Sequence, residues 1–292
     1  MNKLLFLLAT SAIITSATAQ IGGGSATYGQ GRASALEAAR ANELAKRNQF
    51  RDDTGRYLDA AILMNAEADE YVAVFSIQQE GKTLAEARQR MAAAIQNFGR
   101  ELQTLKIPAS DYAQDFIAQN RIYGYEVNGT LSKEVVVGFE IKKNFSIRYK
   151  DKNLLEKLLE AGAKAEIFDL VRVEYIVKDP SAIRTKLMAE AAKIIKQKQQ
   201  AQEELLGVKI GQIQGAYPPQ YSTYFPTELY DAYAAQEAEE VYDYRPNTTV
   251  QRARKARTFF YNGLTGKDFD AVINPVNTEP TIQFTLYVRV RY

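Results

Sequence analysis

The abrupt change from helical to strand periodicity between residues 83 and 149 constrains this chain most. Leu84, Ala87, Met91, Ala94, Ile95, Phe98, Leu102 and Leu105 recur at three- and four-residue spacing, which makes one apolar stripe on a helix over 83–105. Thr83 stands at the N-cap position with Glu86 three residues on, the pattern of a capping box, and Pro108 closes the segment. Residues 116–127 then read as a strand, and Asn128-Gly129 is a hairpin signal. The return strand over 131–149 alternates, with Val137, Phe139, Ile141, Phe145, Ile147 and Tyr149 on one face. Lys143 interrupts that face and marks a bulge or an edge. A one-sided helix beside a hairpin with one apolar face requires a sheet covered by helices.

The remaining segments extend this scheme. Residues 33–51 are a good helix former with mixed charge. Residues 60–79 are extended, and the polar residues at 65–70 suggest two strand pieces or a bent strand. A short helix over 152–161 is stopped by Gly162, and 167–177 is a strand. Asp179 caps a long helix that has Pro180 in its first turn, runs to Leu206 and ends at Gly207. A further strand covers 208–214. Residues 281–292 alternate most cleanly, with Ile282, Phe284, Leu286, Val288, Val290 and Tyr292 on one face and Thr281, Gln283, Thr285, Arg289 and Arg291 on the other. The order β-α-β-β-α-β-α-β, an insertion, then β predicts an α+β fold, a mostly antiparallel sheet covered by helices. The expected divisions are a signal peptide at 1–19, a flexible N-terminus plus helix at 20–59, an α+β domain at 60–216 and 279–292, and an insertion at 217–278. Some local helix is expected in the insertion around 228–241.

The first residues predict export. Lys3 precedes an apolar run at Leu4–Ala9 that resumes at Ala12–Ile14 and ends in Ala17-Thr18-Ala19, a small-x-small cleavage pattern. The run is shorter than the roughly 20 apolar residues a membrane helix needs. Cleavage is expected before Gln20, with a periplasmic or otherwise exported mature chain. The chain has no Cys, which excludes a lipid-anchored N-terminus, disulfides and thiolate chemistry. The net charge of +2 gives no electrostatic argument for nucleic acid or anionic lipid.

Histidine is also absent, which removes the usual general base near neutral pH and nearly all zinc sites. Chemistry would fall to carboxylates, Lys, Arg, Tyr, Ser or Thr. Glu239, Glu240 and Asp243 are the best carboxylate group for hydrolysis, but neighbouring residues diverge and an acidic run is ordinarily a solvated face. Gly22-Gly23-Gly24 lacks the Lys and preceding strand of a phosphate loop. No catalytic, cofactor-binding or metal-binding residue is assigned, and no cofactor is expected. The insertion carries Tyr217, Tyr221, Tyr224, Tyr230, Tyr233, Tyr242 and Tyr244. These offer either an interaction surface of apolar area with hydroxyls, or aromatic cover for the domain's own sheet edges.

Several motifs, taken in order, resemble one family. They are Asp69 after the first strand, Thr83-Leu84-Ala85-Glu86-Ala87 at a helix start, Val137-Gly138-Phe139 in a strand, Asp151 to Leu155 with Gly162, and Leu206-Gly207-Val208-Lys209-Ile210-Gly211 closing a long helix. Each alone is helix or turn punctuation, whereas the ordered set at these spacings resembles the SIMPL-domain family over 60–216 and the last strand. The chain departs from the pattern in its early helix, in Lys196, Gln197 and Gln199 on the long helix, and in its Tyr-rich segment. The resemblance implies a periplasmic protein linked to oxidative-stress defence. It carries over no catalytic residue.

The expected function is therefore a non-enzymatic exported protein that self-assembles in the cell envelope and contributes to stress tolerance. One alternative is a module that binds envelope polysaccharide or another protein through the Tyr-rich segment; the other is a carboxylate hydrolase. Homo-oligomerisation is expected from strand edges. The 281–292 strand contains no Pro or Gly, so it either lies centrally or has its edge met by another chain. The resemblance points the same way, since a ring-like assembly is known among family members.

Overall fold

The computed structural model describes residues 35–49, 56–233, 258–275 and 279–292. The signal peptide, Gly22–Gly24, Glu239, Glu240, Tyr242, Asp243 and Tyr244 lie outside the described residues. The fold is α+β. Among the described residues two larger, mainly antiparallel sheets and a two-stranded ribbon share the chain, where the sequence leads one to expect a single sheet.

The first sheet is built from the hairpin. Strand β2 (Glu70–Gly81) pairs with β4 (Leu131–Tyr149) on one side and with β5 (Asp169–Ile176) on the other, and β4 pairs with β3 (Tyr112–Asn128). The order is β3-β4-β2-β5, so β3 forms one edge. Helices α2 (Leu84–Thr104) and α3 (Leu154–Lys164) cover one face. Ala87, Met91, Ala94, Phe98 and Leu102 are the buried positions of α2, so the expected stripe is the buried stripe. Phe98 is fully buried, edge-on to Phe75 at 5.4 Å and tilted against Phe145 at 5.0 Å. The Thr83 hydroxyl accepts from the Glu86 amide at 3.2 Å, while the Glu86 carboxylate accepts from the Lys82 amide at 2.9 Å.

Helix α3 does not stop at Gly162. It runs to Lys164, and Glu166 takes the left-handed conformation (φ 61°) that ends it. Gly162 is required for space, because a Cβ there would lie 2.8 Å from the Ile167 carbonyl oxygen.

The second sheet begins where the chain crosses over at 67–69. Strand β1 (Tyr57–Ala66) pairs antiparallel with the last strand β11 (Ile282–Arg291) and parallel with β10 (Ala271–Ile273). The other side of β11 is met by β6 (Gly215–Ala216) and β7 (Gln220–Tyr224). β11 is therefore central, its second edge closed by the chain's own 215–224 segment, and it offers no edge to another copy. Residues 208–214 form no strand, since the chain reaches β11 only at its end, where the Gln214 amide donates to the Arg291 carbonyl at 2.9 Å. The helix expected at 228–241 is, in its described part, a 3-10 turn at 226–228 followed by β8 (Tyr230–Tyr233), which pairs with β9 (Thr258–Tyr261).

Helix α4 (Pro180–Leu206) lies on one face of this sheet, with Leu187, Ala191 and Ile195 against Leu58, Ile62, Ile282 and Leu286. Its ends are as expected: the Ala182 amide donates to Asp179 at 2.9 Å, and Gly207 caps the C-terminus with φ 66°. The opposite face of β11 is not solvated. Thr281, Gln283, Thr285 and Arg289 are all buried, covered by helix α1 (Ala35–Gln49) and the 261–272 segment. Each polar side chain is met by a partner from that layer or from β1. Gln283 bonds Asn65 and both backbone groups of Leu264, and Thr285 bonds Glu43 and Lys46. The early helix, expected to precede the domain, is one of its layers.

Candidate functional site

The β3–β4 hairpin extends beyond the helices that cover its base. Its turn sits one residue later than Asn128-Gly129 suggests. Asn128 pairs with Leu131, which leaves Gly129 and Thr130 as the two turn residues, and Gly129 has φ 60°. Glycine at the first turn position with positive φ matches the right-handed twist of the flanking strands.

Two bulges orient the hairpin. The first leaves Ile117 unpaired in β3 beside the Phe116–Lys143 pair, while Lys143 keeps the same face of β4 as Ile141. The second leaves Val137 unpaired in β4, between the Ile122–Gly138 and Tyr123–Val136 pairs. Val137 consequently departs from the face of Ile141 and Phe145 and is 52 % exposed.

Beyond that bulge Tyr123, Tyr125 and Val127 alternate on one face of the two-stranded arm, with Val136, Glu134 and Ser132 opposite them. Tyr125 is 73 % exposed and Val127 71 %. Tyr123, Val136 and Leu131 are exposed as well. Single exposed apolar side chains are ordinary, but a contiguous stripe marks an interaction surface.

At the base of the hairpin, α2 and the ribbon leave a cleft of about 530 Å³. Met91, Ile95, Phe116 and Ile141 give it an apolar lining, and Arg88 and Lys143 lie at its rim. Arg88 donates to the Gln119 side-chain oxygen at 3.2 Å.

A second, polar cleft of about 290 Å³ lies between α1, α4 and the 266–270 turn. Lys198 stands 2.7 Å from Asp270 and 3.6 Å from Asp59, and the Tyr287 hydroxyl donates to Asp59 at 2.9 Å. Burial and the Asp59 carboxylate push the Tyr287 phenol well above its ordinary value, so it remains a protonated donor. Arg289 completes the group, 3.3 Å from Asp59 and stacked 3.9 Å from the Tyr57 ring. Each carboxylate here accepts from cations or backbone amides, which suits joining the layers. Among the described residues no group of three Asp, Glu, His or Cys side chains could hold a metal ion.

The described tyrosines of the 217–278 segment do not form one platform. Tyr224 is buried and donates to Glu43 at 2.8 Å. Tyr221 is half-buried beneath the Arg184 guanidinium, 5.4 Å from the ring centre. Tyr230 meets Tyr261 edge-on at 6.0 Å, and Tyr217 is half-buried on the strand margin. Tyr233 ends β8. The sequence reading missed the arm because apolar alternation looks the same whether or not the face is covered. The available signal was length, since strands of 17 and 19 residues outrun a 21-residue helix.

No helix among the described residues is long and apolar enough to cross a membrane. No curated protein matches the chain. Two solved structures are similar in part: AtUAH in complex with (S)-hydroxyglycine, 15% identical over 48% of this chain and 35% of that one, and AtUAH in complex with glyoxylate, 14% identical over 49% and 36%. This chain thus spans about a third of their length, and at a TM-score of 0.19 for both the likeness carries no argument. The family described as SIMPL, "Protein of unknown function (DUF541)", matches residues 63–290, a range that includes the 217–278 segment and leaves α1 and the start of β1 outside. The chain belongs to the SIMPL family.

Proposed function

We propose that this protein is an exported, non-enzymatic component of the cell envelope that self-assembles and contributes to tolerance of oxidative stress. The observation that carries self-assembly is the arm, a ribbon that displays Tyr123, Tyr125, Val127 and Val136 on one face outside the covered part of its sheet. An exposed apolar stripe of this kind is favourably buried against a partner. Export is supported by the order of Lys3, the apolar run and Ala17-Thr18-Ala19. A non-catalytic role is supported by the lack of His and Cys and by the engagement of the polar-cleft carboxylates with Lys198, Arg289 and Tyr287. The stress role rests on the family resemblance alone.

The test is complementation. A strain lacking the gene should be more sensitive to peroxide, and the wild-type protein recovered from its envelope fraction should begin at Gln20 and restore tolerance. A Tyr125→Asp/Val127→Asp arm variant present at equal abundance should not restore it. Full restoration by the arm variant would separate the physiological role from the arm, and a cytoplasmic protein that retains Met1 would overturn export.

A further inference from the structure

The arm and the cleft at its base have opposite character. The stripe face of the arm is apolar with one acid, Glu134, which stands opposite Tyr125. The cleft is apolar with two bases, Arg88 and Lys143, and neither has a carboxylate partner among the described residues. The arm cannot reach its own cleft. Its last paired residue, Asn128, lies nine residues beyond Gln119 on the same strand, or about 30 Å along an extended ribbon that would have to fold back on itself.

We propose that the cleft is the socket for the arm of a second copy of this chain. Tyr125 and Val127 lie on the apolar lining, and Glu134 meets Arg88 and Lys143. This assignment rests on the self-assembly proposed above and specifies its contact. Every copy carries both parts, so the contact either closes reciprocally as a dimer or runs from copy to copy around a ring.

Two charge-reversal variants of the mature protein test it. One carries Arg88→Glu and Lys143→Glu in the cleft; the other carries Glu134→Lys on the arm. Alone, each sets like charges against each other at the contact and should associate at least about tenfold more weakly than wild type in sedimentation velocity. Mixed, the reversed arm fits the reversed cleft, and the wild-type arm of one fits the wild-type cleft of the other, so association should return. Because the chain has no Cys, Val127→Cys on one copy and Ala92→Cys on another should also give a unique intermolecular disulfide on oxidation.

Assembly of both variants at wild-type strength, or a mixture that fails to recover while each variant keeps the wild-type far-UV spectrum, would overturn the socket and leave self-assembly standing. A monomeric wild-type chain removes self-assembly itself. A monomeric chain that takes up a fluorescent fatty acid, with uptake lost on Arg88→Glu/Lys143→Glu, would assign the cleft to an anionic amphiphile instead.

Discussion

Replacing Glu43 with Gln should destabilise the fold by about 3–5 kcal/mol, because it leaves a buried ammonium without its counter-charge. Glu43 and Lys46 sit on the inner face of α1 with side chains only 7 % and 10 % exposed. One Glu43 oxygen accepts from Lys46 at 2.8 Å, from Thr285 at 2.9 Å and from Tyr224 at 2.8 Å. Without that charge Lys46 keeps only neutral acceptors, the amide oxygen of the new Gln and the Thr285 hydroxyl at 3.0 Å. Burial already holds the Lys46 pKa below its ordinary value against the pull of Glu43, so removing Glu43 lowers it further. A lysine whose native pKa is depressed binds fewer protons folded than unfolded as pH rises towards 10.5, and stability then rises with pH. The Glu43→Gln deficit should therefore shrink between neutral pH and about pH 10, and Lys46→Met in the same background should recover most of it. The chain has no Trp, so urea unfolding followed by far-UV circular dichroism and tyrosine fluorescence is the assay. A Glu43→Gln midpoint equal to wild type at pH 7 would show that α1 is not docked on the polar face of β11.

Three further outcomes follow from the cores and the buried phenols. Phe98→Ala should cost about 3–5 kcal/mol in the same urea assay, since the side chain is fully enclosed between Phe75 and Phe145; an unchanged midpoint would mean that α2 turns another face inward. Gly162→Ala should cost roughly 1–3 kcal/mol, as its new carbon meets the Ile167 carbonyl oxygen, whereas exposed positions of α3 should tolerate Ala. Stability should fall above about pH 10, because burial pushes Tyr175 up to about 12 and raises Tyr149, Tyr224 and Tyr287 as well. The unfolded chain then releases phenol protons that the folded chain retains, so stability present below pH 10 is lost as pH rises. A flat stability profile from pH 9 to 11 would contradict this.

Features set by local chemistry were legible in the sequence. The caps Thr83 and Asp179, Pro180 in the first turn, Gly207 at the helix end and the α2 stripe all depend on residues within a few positions of one another. What depends on distant segments was not. The polar face of β11 gives no sign in its own residues of what covers it: the cover is a helix about 240 residues earlier, and its hydrogen bonds to Glu43 and Lys46 span 242 and 239 positions. The 217–278 segment reads as an insertion, yet its described parts supply β7 and β10 to the second sheet. Gly162 reads as a helix stop although its function is close backbone approach. Val137 reads as a core residue, and a single bulge turns it outward. Lys143 within an apolar alternation signals a bulge or an edge, and a bulge stands beside it, at Ile117 of the neighbouring strand. The stripe on the arm is composed like any buried strand, and only the folded structure shows that no helix among the described residues lies over it.

The native mass of the mature wild-type protein tests the central claim most directly. Light scattering coupled to size exclusion, at micromolar concentration and moderate salt, should return an integral multiple of the chain mass. That mass should fall to a single chain when Tyr125→Asp and Val127→Asp place charges on the arm. A single-chain mass for the wild-type protein would contradict assembly through the arm.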